Sequence, residues 1–265
     1  MQESEGRAAV QLRSFECSGT AAFSICRGAV REEMRLQEMK WRVNMNRREI
    51  LGVVFDMDGL MFDSERIVQY SWNIAGEKMG YGPLGDHIYH TLGLNRKTRE
   101  EYFKNKYGRN FPFERFQELY RSVFQEYVRA NGLPTKKGLH ELLDFLRKEQ
   151  IPMAVATSSS QEHAVGNLKK EGIREYFQTV ITGNMVSRAK PDPEIYLKAC
   201  QGLKLPPSKV LALEDSYNGL RSAHQAGMIT VMVPDLLRDS ACVDDILDGK
   251  KESLLEVRNW IASMR

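Results

Sequence analysis

The chain has 265 residues, 42% of them hydrophobic, and a formal net charge of +3. This length predicts one large domain or a core with a smaller module, and the composition allows a sizeable buried core. Scattered Lys and Arg residues argue against a nucleic-acid partner, and no apolar run reaches the roughly 20 residues that span a bilayer. Charged residues interrupt its start and its four cysteines lack a metal or disulfide spacing, so we expect a cytoplasmic protein with free thiols. We also expect a monomer with no membrane association.

Residues 1–44 combine small residues with dispersed charge and contain no clear strand. We interpret them as a flexible N-terminal extension, or as a segment ahead of a true translation start at Met45. Since they carry no motif, a chain that starts at Met45 is expected to fold and to keep full activity.

Short apolar runs recur after this segment and predict strands that are buried on both faces. They cover residues 50–55, 152–156, 179–182, 210–213 and 229–233. Helical patterns separate these runs, and such alternation predicts a parallel α/β sheet with right-handed crossovers. We therefore expect an α/β core made of residues 45–60 and 136–265.

Residues 61–135 break the alternation, because they have helical patterns almost throughout although one helix would complete a crossover. The excess predicts a helical insertion, a candidate cap domain. Within it, Gly80-x-Gly82-x-x-Gly85 matches a dinucleotide-binding fingerprint. That fingerprint requires a preceding strand, and a helical pattern precedes it here, so we expect a turn.

Asp56 and Asp58 follow the first predicted strand directly. Ligands of open α/β sheets bind beyond the carboxyl ends of the strands. Two carboxylates at this place repel each other unless a cation or a proton intervenes, and Mg²⁺ suits a site made only of oxygen ligands. A solvated turn would explain an isolated Asp-x-Asp equally well, so the interpretation depends on the strand before it.

Three later loops carry groups that complement these acids. Thr157 and the three serines after it end the second strand, where hydroxyls and N–H groups can bind an anion or simply cap a helix. Lys190 precedes two prolines that fix a turn, and Glu214 and Asp215 end the fourth strand, where they could also be cap residues. Together the four loops supply acids for a metal, an anion cradle, a cation and a nucleophile, which is the inventory of phosphoryl transfer.

The motifs Asp56-x-Asp58-Gly59, Thr157, Lys190 and Glu214-Asp215, in this order, resemble those of the haloacid dehalogenase-like superfamily. Residues 55–60, 190–193 and 213–219 resemble its β-phosphoglucomutase-like phosphatase branch more closely. The resemblance spans about residues 50–235. It implies a three-layer Rossmann-like core, with a parallel sheet of order 3-2-1-4-5, and a helical cap formed by residues 61–135.

The resemblance also implies an activity, namely Mg²⁺-dependent hydrolysis of a small phosphomonoester, such as a sugar phosphate, through an aspartyl-phosphate intermediate. Asp56 would be the nucleophile and Asp58 the general acid and base. Thr157, the Ser158 N–H and Lys190 would hold the phosphate.

The implied metal site takes Asp56, the backbone carbonyl of Asp58 and Asp215, with Glu214 near the ion or joined through water. Arg96 aligns with a cap arginine that contacts a second phosphate in the mutase, although a surface arginine fits this position equally well.

Two other functions remain open, a phosphomutase and a catalytically silent binding protein on the same fold. The mutase resemblance includes a histidine after the first motif, and Val68 stands at that position here. Ser160-Gln161 stands where the mutase has a Lys-Asn pair. Because valine cannot transfer a proton, we expect phosphate release rather than conversion of β-glucose 1-phosphate to glucose 6-phosphate.

Overall fold

The computed structural model describes residues 49–91, 94 and 96–265. The predictions for residues 1–44 and for a start at Met45 lie outside the described residues. Of the cysteines, Cys200 is a buried free thiol and Cys242 an exposed one.

A sheet of six parallel strands in the order β3-β2-β1-β4-β5-β6 forms the centre of the described chain. The strands are β1 (Gly52–Phe55), β2 (Met153–Thr157), β3 (Phe177–Thr182), β4 (Val210–Glu214), β5 (Ile229–Met232) and β6 (Gly249–Lys250). The order predicted for the first five strands is confirmed, and β6 extends the sheet beyond β5. Strand β1 lies between β2 and β4, so the residue that follows it is central at the edge where the strands end.

Five helices follow the sheet strands and flank the sheet. They are α4 (Leu139–Lys148), α5 (Gln161–Lys170), α6 (Glu194–Leu203), α7 (Tyr217–Gln225) and α8 (Leu254–Ser263). Side chains of α6 and α7 pack with β1, β2 and β4 in one buried cluster. Every residue of β1, β2, β4 and β5 is buried, as the continuous apolar runs predicted.

The predicted helical insertion consists of α1 (Ser64–Lys78), α2 (Arg96–Tyr107) and α3 (Phe113–Asn131). It has a core of its own, in which aromatic side chains from all three helices surround Phe103. Gly80 and Gly82 adopt positive φ in the connection after α1, so the glycine motif forms a turn, as expected. The apolar surfaces of these helices are thus buried mainly against one another.

Two short linkers join the insertion to the sheet. Phe62 and Thr135 form an antiparallel bridge, and the Asp63 N–H donates to the Pro134 carbonyl at 2.8 Å. Next to them, Asp235 Oδ1 accepts from Arg66 at 2.7 Å and from Lys136 at 2.5 Å. One carboxylate of the loop after β5 therefore contacts both the first turn of α1 and the linker that returns to the sheet.

Among the described residues, no helix combines the length and the apolar character that crossing a membrane requires.

Candidate active site

Lys190 lies at the centre of the site, on the loop before α6. Its Nζ donates to Asp56 Oδ1 and to Glu214 Oε1, both at 2.6 Å, and to the Ala156 carbonyl at 3.0 Å. The side chain is 5% exposed, so this lysine is not the solvated loop residue that its position alone would suggest. Its three ammonium protons are thus directed at the ends of β1, β2 and β4, which confirms that these loops converge.

Asp56, Glu214 and Asp215 can each place a carboxylate oxygen within 4.8 Å of the other two, and all three residues are buried. Three carboxylates against the one ammonium of Lys190 leave an excess of two negative charges when all are ionised. Burial raises the pKa of Asp56 to about 8 and the pKa of Asp215 well above its usual value, and the neighbouring Glu214 adds to both shifts. This cluster therefore favours binding of protons or of a cation.

The donor set fits Mg²⁺, which prefers oxygen ligands and few protein carboxylates. Asp215 Oδ1 is buried and has no hydrogen-bond partner among the described residues, so it is available as a ligand. Gly59 has positive φ, and a Cβ there would come within 2.4 Å of Asp215 Oδ2. A glycine at this position therefore lets the backbone of the first loop approach Asp215 closely.

Glu214 differs from Asp215, because both of its oxygens are occupied. Oε1 accepts from Lys190 and, at 2.8 Å, from the Tyr196 hydroxyl. Oε2 accepts from the Asp215 N–H, the Ser216 N–H and the Ser216 hydroxyl at 3.0–3.1 Å. A carboxylate offers about four lone-pair positions, so direct ligation of a cation by Glu214 would displace an existing donor.

Asp58 lies beside the cluster, with a side chain that is 25% exposed. Its carboxylate accepts from Ser159 Oγ at 2.7 Å and from Ser64 Oγ at 3.2 Å, and His163 Nε2 lies 3.9 Å away. Burial alone would raise the pKa of Asp58, but His163, Ser159 and Ser64 stabilise the charged form and leave the pKa below its usual value. The sequence interpretation missed these three neighbours, although Ser159 lies in the hydroxyl run that it identified.

Two of the other predicted residues belong to this edge of the sheet. Thr157 is buried, its Oγ1 accepts from the Ser159 N–H at 3.1 Å, and its hydroxyl lies 3.5 Å from Asp58 Oδ2. Ser158 follows it and is exposed, next to the start of α5. Arg96, by contrast, is an exposed residue of the insertion, where its guanidinium donates to Gln117 and Glu114 of α3.

Glu65, on the first turn of α1, was not predicted from the sequence. Burial raises its pKa to about 7, and the nearby negative charge of Asp58 adds to the shift. The positive charge of Arg99, on α2, opposes it. Arg99 Nε is itself buried without a hydrogen-bond partner among the described residues, and its guanidinium lies 5.6 Å from the centre of the Trp72 ring. One acid of the insertion therefore lies within electrostatic range of Asp58, and a cation of α2 lies near that acid.

The sequence profile described as haloacid dehalogenase-like hydrolase matches residues 53–233. The chain belongs to this family of hydrolases, as the order of its motifs predicted. Its matched region includes every predicted site residue, from Asp56 to Asp215.

Similar curated proteins include a phosphorylated carbohydrates phosphatase from Thermotoga maritima, which is 30% identical over 181 residues, covering 67% of this chain and 82% of the relative. The validoxylamine A 7′-phosphate phosphatase of Streptomyces hygroscopicus is also 30% identical over 181 residues, with 67% and 83% covered.

Solved structures share the fold. A β-phosphoglucomutase from Clostridium difficile superposes with a TM-score of 0.65 at 19% identity, covering 81% of this chain and 96% of that one. CbbY from Rhodobacter sphaeroides in complex with xylulose-1,5-bisphosphate gives a TM-score of 0.60 at 23% identity, with 78% and 96% covered.

Proposed function

We propose that this chain is a Mg²⁺-dependent phosphatase that hydrolyses a small phosphomonoester, such as a sugar phosphate, through an aspartyl-phosphate intermediate. The observation that carries the proposal is the buried Asp56, which lies at the end of the central strand with its Oδ1 fixed by Lys190 at 2.6 Å. The relatives named for phosphorylated carbohydrates and for validoxylamine A 7′-phosphate support a phosphorylated small molecule as substrate.

In the first step, an Asp56 carboxylate oxygen attacks phosphorus, and the bond from phosphorus to the ester oxygen breaks. Asp58 donates its proton to the departing oxygen, which leaves as an alcohol. Asp58 favours the charged form in the arrangement described above. The negative charge of an incoming phosphate raises the pKa of a neighbouring carboxyl and so favours the protonated form that this step needs.

In the second step, a water molecule attacks the phosphorus of the aspartyl phosphate. Asp58 accepts a proton from this water, and the bond from phosphorus to Asp56 breaks, which releases inorganic phosphate and restores the carboxylate. Ser159 and Ser64 orient Asp58 for both proton transfers by donating to its carboxylate.

Lys190, Thr157 and the Ser158 N–H would receive the phosphoryl oxygens. Asp56, the backbone carbonyl of Asp58 and Asp215 would hold Mg²⁺, which supplies positive charge to offset the phosphoryl oxygens. Residues 61–135 act as a cap that excludes water when it closes over the substrate. Arg96 would contribute to substrate binding only if its guanidinium left Glu114 and Gln117 and bound the substrate instead.

The test measures phosphate release from p-nitrophenyl phosphate in the presence of Mg²⁺. Asp56→Asn keeps the shape of the side chain and removes its nucleophilic charge, so turnover should fall by at least about 10³-fold while the unfolding midpoint stays near the native value. Near-native turnover of the folded variant would overturn the mechanism, and an inactive wild-type enzyme on all phosphate esters would favour a binding role.

The second candidate is a phosphomutase, because the chain has the fold of a β-phosphoglucomutase. Val68, which replaces the mutase histidine, packs against the aromatic core of the insertion. Supplying β-glucose 1-phosphate with a trace of the bisphosphate separates the two functions. We expect inorganic phosphate as the product; efficient formation of glucose 6-phosphate with negligible free phosphate would establish the mutase instead.

A further inference from the structure

Tyr196 is the only tyrosine of the described residues whose side chain contacts the Lys190–Glu214 ion pair. It lies on the first turn of α6, six positions after Lys190, and its side chain is fully buried. The periodic pattern of α6 makes Tyr196 part of the apolar stripe that packs on the sheet. A buried tyrosine places its hydroxyl where a polar partner is available, and here that partner is a site carboxylate.

Tyr196 contacts both members of one ion pair, Glu214 through its hydroxyl and Lys190 through its hydroxyl and ring. Its hydroxyl donates to Glu214 Oε1 at 2.8 Å, the same oxygen that accepts from Lys190 at 2.6 Å. The Lys190 Nζ lies 3.4 Å from the hydroxyl and 4.9 Å from the centre of the ring. The hydroxyl therefore stabilises the acid, and the ring face lies within cation–π distance of the ammonium.

These contacts leave Lys190 with a single orientation. Its three protons go to Asp56, Glu214 and the Ala156 carbonyl, and the tyrosine closes the remaining side. Glu214 is equally restricted, since its other oxygen accepts three donors from residues 215 and 216. If the Glu214 side chain could move, the Lys190 ammonium that it holds could move too, and its hydrogen bond to Asp56 Oδ1 would be less well fixed.

We infer that Tyr196 is a positioning residue of the proposed phosphatase, which fixes Glu214 as the counter-ion of Lys190 and thereby holds Lys190 on the Asp56 nucleophile. This inference rests on the proposed function. The hydroxyl of Tyr196 contacts Glu214 and Lys190 and not the Asp56 carboxylate, so we expect its loss to act mainly on kcat, through the position of Lys190 on Asp56.

The test compares Tyr196→Phe with Tyr120→Phe, a buried tyrosine of the insertion core whose ring packs against Trp72 and Phe116. Both changes remove one hydroxyl and keep the ring. With wild-type enzyme active, Tyr196→Phe should lower kcat about tenfold with KM within about twofold, the loss expected for one hydrogen bond to a charged group. Tyr120→Phe should leave both constants near the wild-type values.

A double-mutant cycle decides whether Tyr196 acts through Glu214. Glu214→Gln alone should lower kcat, and adding Tyr196→Phe to it should change kcat by less than about threefold, because the two residues share one interaction. Full additivity of the two losses would overturn the inference, as would an unchanged kcat for Tyr196→Phe.

A binding measurement separates positioning from a disturbed fold. The rise of the unfolding midpoint on adding Mg²⁺ should be the same for Tyr196→Phe and wild type, since Asp56, Asp58 and Asp215 are untouched. Loss of that rise would assign Tyr196 a merely structural role. A wild-type enzyme without phosphatase activity would refute the proposed function instead, which keeps the two failures distinct.

Discussion

Glu65 shows how a single partly buried acid can make stability depend on pH. Its pKa is raised to about 7 by burial, against 4.5 in the unfolded reference, with the charge of Asp58 adding to the shift. The native state therefore binds this proton more tightly than the unfolded chain. Between about pH 4.5 and pH 7, this group makes the native state less stable as the pH rises.

Glu65→Gln should remove this pH dependence. In the presence of a chelator, the variant should have about the wild-type free energy of unfolding near pH 4.5 and a higher one near pH 8. The gain should reach at most about 3 kcal/mol, because one unit of pKa shift corresponds to about 1.4 kcal/mol. Urea unfolding at the two pH values measures it, and a gain of equal size at both would contradict the raised pKa.

The site residues that could be predicted from the sequence are those whose place follows from their position at the end of a parallel strand. Asp56, Glu214 and Asp215 end strands, and strand ends of one sheet meet at one edge. The partners of Asp58 were not predictable in this way, because Ser64 and His163 come from helices whose relative placement depends on tertiary packing. The hydroxyl of Tyr196 was hidden for the same reason, since a helical periodicity reports which face is buried and not what its polar atoms contact.

At the scale of the elements, the helix after β4 approaches the site so closely that it requires a glycine. A Cβ on Gly219 of α7 would lie 1.7 Å from Glu214 Oε1, whereas a Cβ on Gly166 of α5 would meet nothing within 4 Å. Both glycines lie inside helices, so they form a matched pair.

Gly219→Ala should lower the free energy of unfolding by about 1–3 kcal/mol and should also lower turnover, because Glu214 must move away from the new methyl group. Gly166→Ala should instead stabilise the protein by roughly 0.5–1 kcal/mol, the usual gain for alanine in a helix interior. Chemical denaturation of both variants is the measurement; equal effects would show that the approach of α7 to Glu214 is looser than described.

The linkers to the insertion depend on Asp235, whose side chain is 1% exposed. Its Oδ1 accepts from Arg66, on the first turn of α1, and from Lys136, on the linker that returns to the sheet. Asp235 Oδ2 is buried and lacks a hydrogen-bond partner within the described part of the chain. This carboxylate therefore ties the insertion to the loop after β5 by charge, in addition to the backbone bridge between Phe62 and Thr135.

Asp235→Asn should loosen the linkers, because Arg66 and Lys136 then lose the buried anion that they share and keep only Asp63, which is more exposed. Trypsin cleaves after lysine, so limited digestion after Lys136 should become several-fold faster in the variant, with the fragments identified by mass. Glu118→Gln is the control, since it removes only a surface pair with Arg115 and such pairs contribute about 0–1 kcal/mol. Unchanged cleavage of Asp235→Asn would show that the backbone bridge alone holds the linkers.

Strand bounds illustrate the limit of pattern recognition at this scale. The apolar run predicted at residues 179–182 begins two residues after the actual start of β3, which also contains Phe177 and the exposed Gln178. Strand β3 lies at the edge of the sheet, where burial on one side is incomplete and the apolar run is interrupted. Strand β6 has only two residues, Gly249 and Lys250, so no hydrophobic period could reveal it.

For the whole molecule, the excess negative charge of the site predicts stabilisation by metal. Mg²⁺ at about 100 times its dissociation constant should add about 2.7 kcal/mol to the free energy of unfolding, which raises the unfolding midpoint of a chain of this size by about 5–10 °C. Asp215→Asn should abolish most of this rise, because it removes the charge beside the available oxygen. Thermal unfolding with and without chelator measures the effect; an equal rise in Asp215→Asn would place the ion elsewhere.

Activity gives a second measurement of the same ion. Chelator should abolish turnover and Mg²⁺ should restore it, whereas Ca²⁺ should restore little, since it prefers more ligands and longer distances. Full turnover in excess chelator would exclude a metal requirement.

The placement of β1 in the middle of the sheet has a consequence for how the chain acquires its activity during folding. Asp56 and Lys190 are 134 positions apart, and Asp58 and Ser159 are 101 apart, so these two contacts of the site cannot form from neighbouring residues of the sequence. Closing long loops costs an entropy that grows only slowly with length, but pairing distant segments lowers the folding rate. Helices of the insertion can form from local contacts, whereas the nucleophile meets its lysine only after β1 has found both neighbours. During refolding, turnover should therefore return later than the helical circular dichroism signal. The appearance of active enzyme would then report that β1 has paired with both of its neighbours.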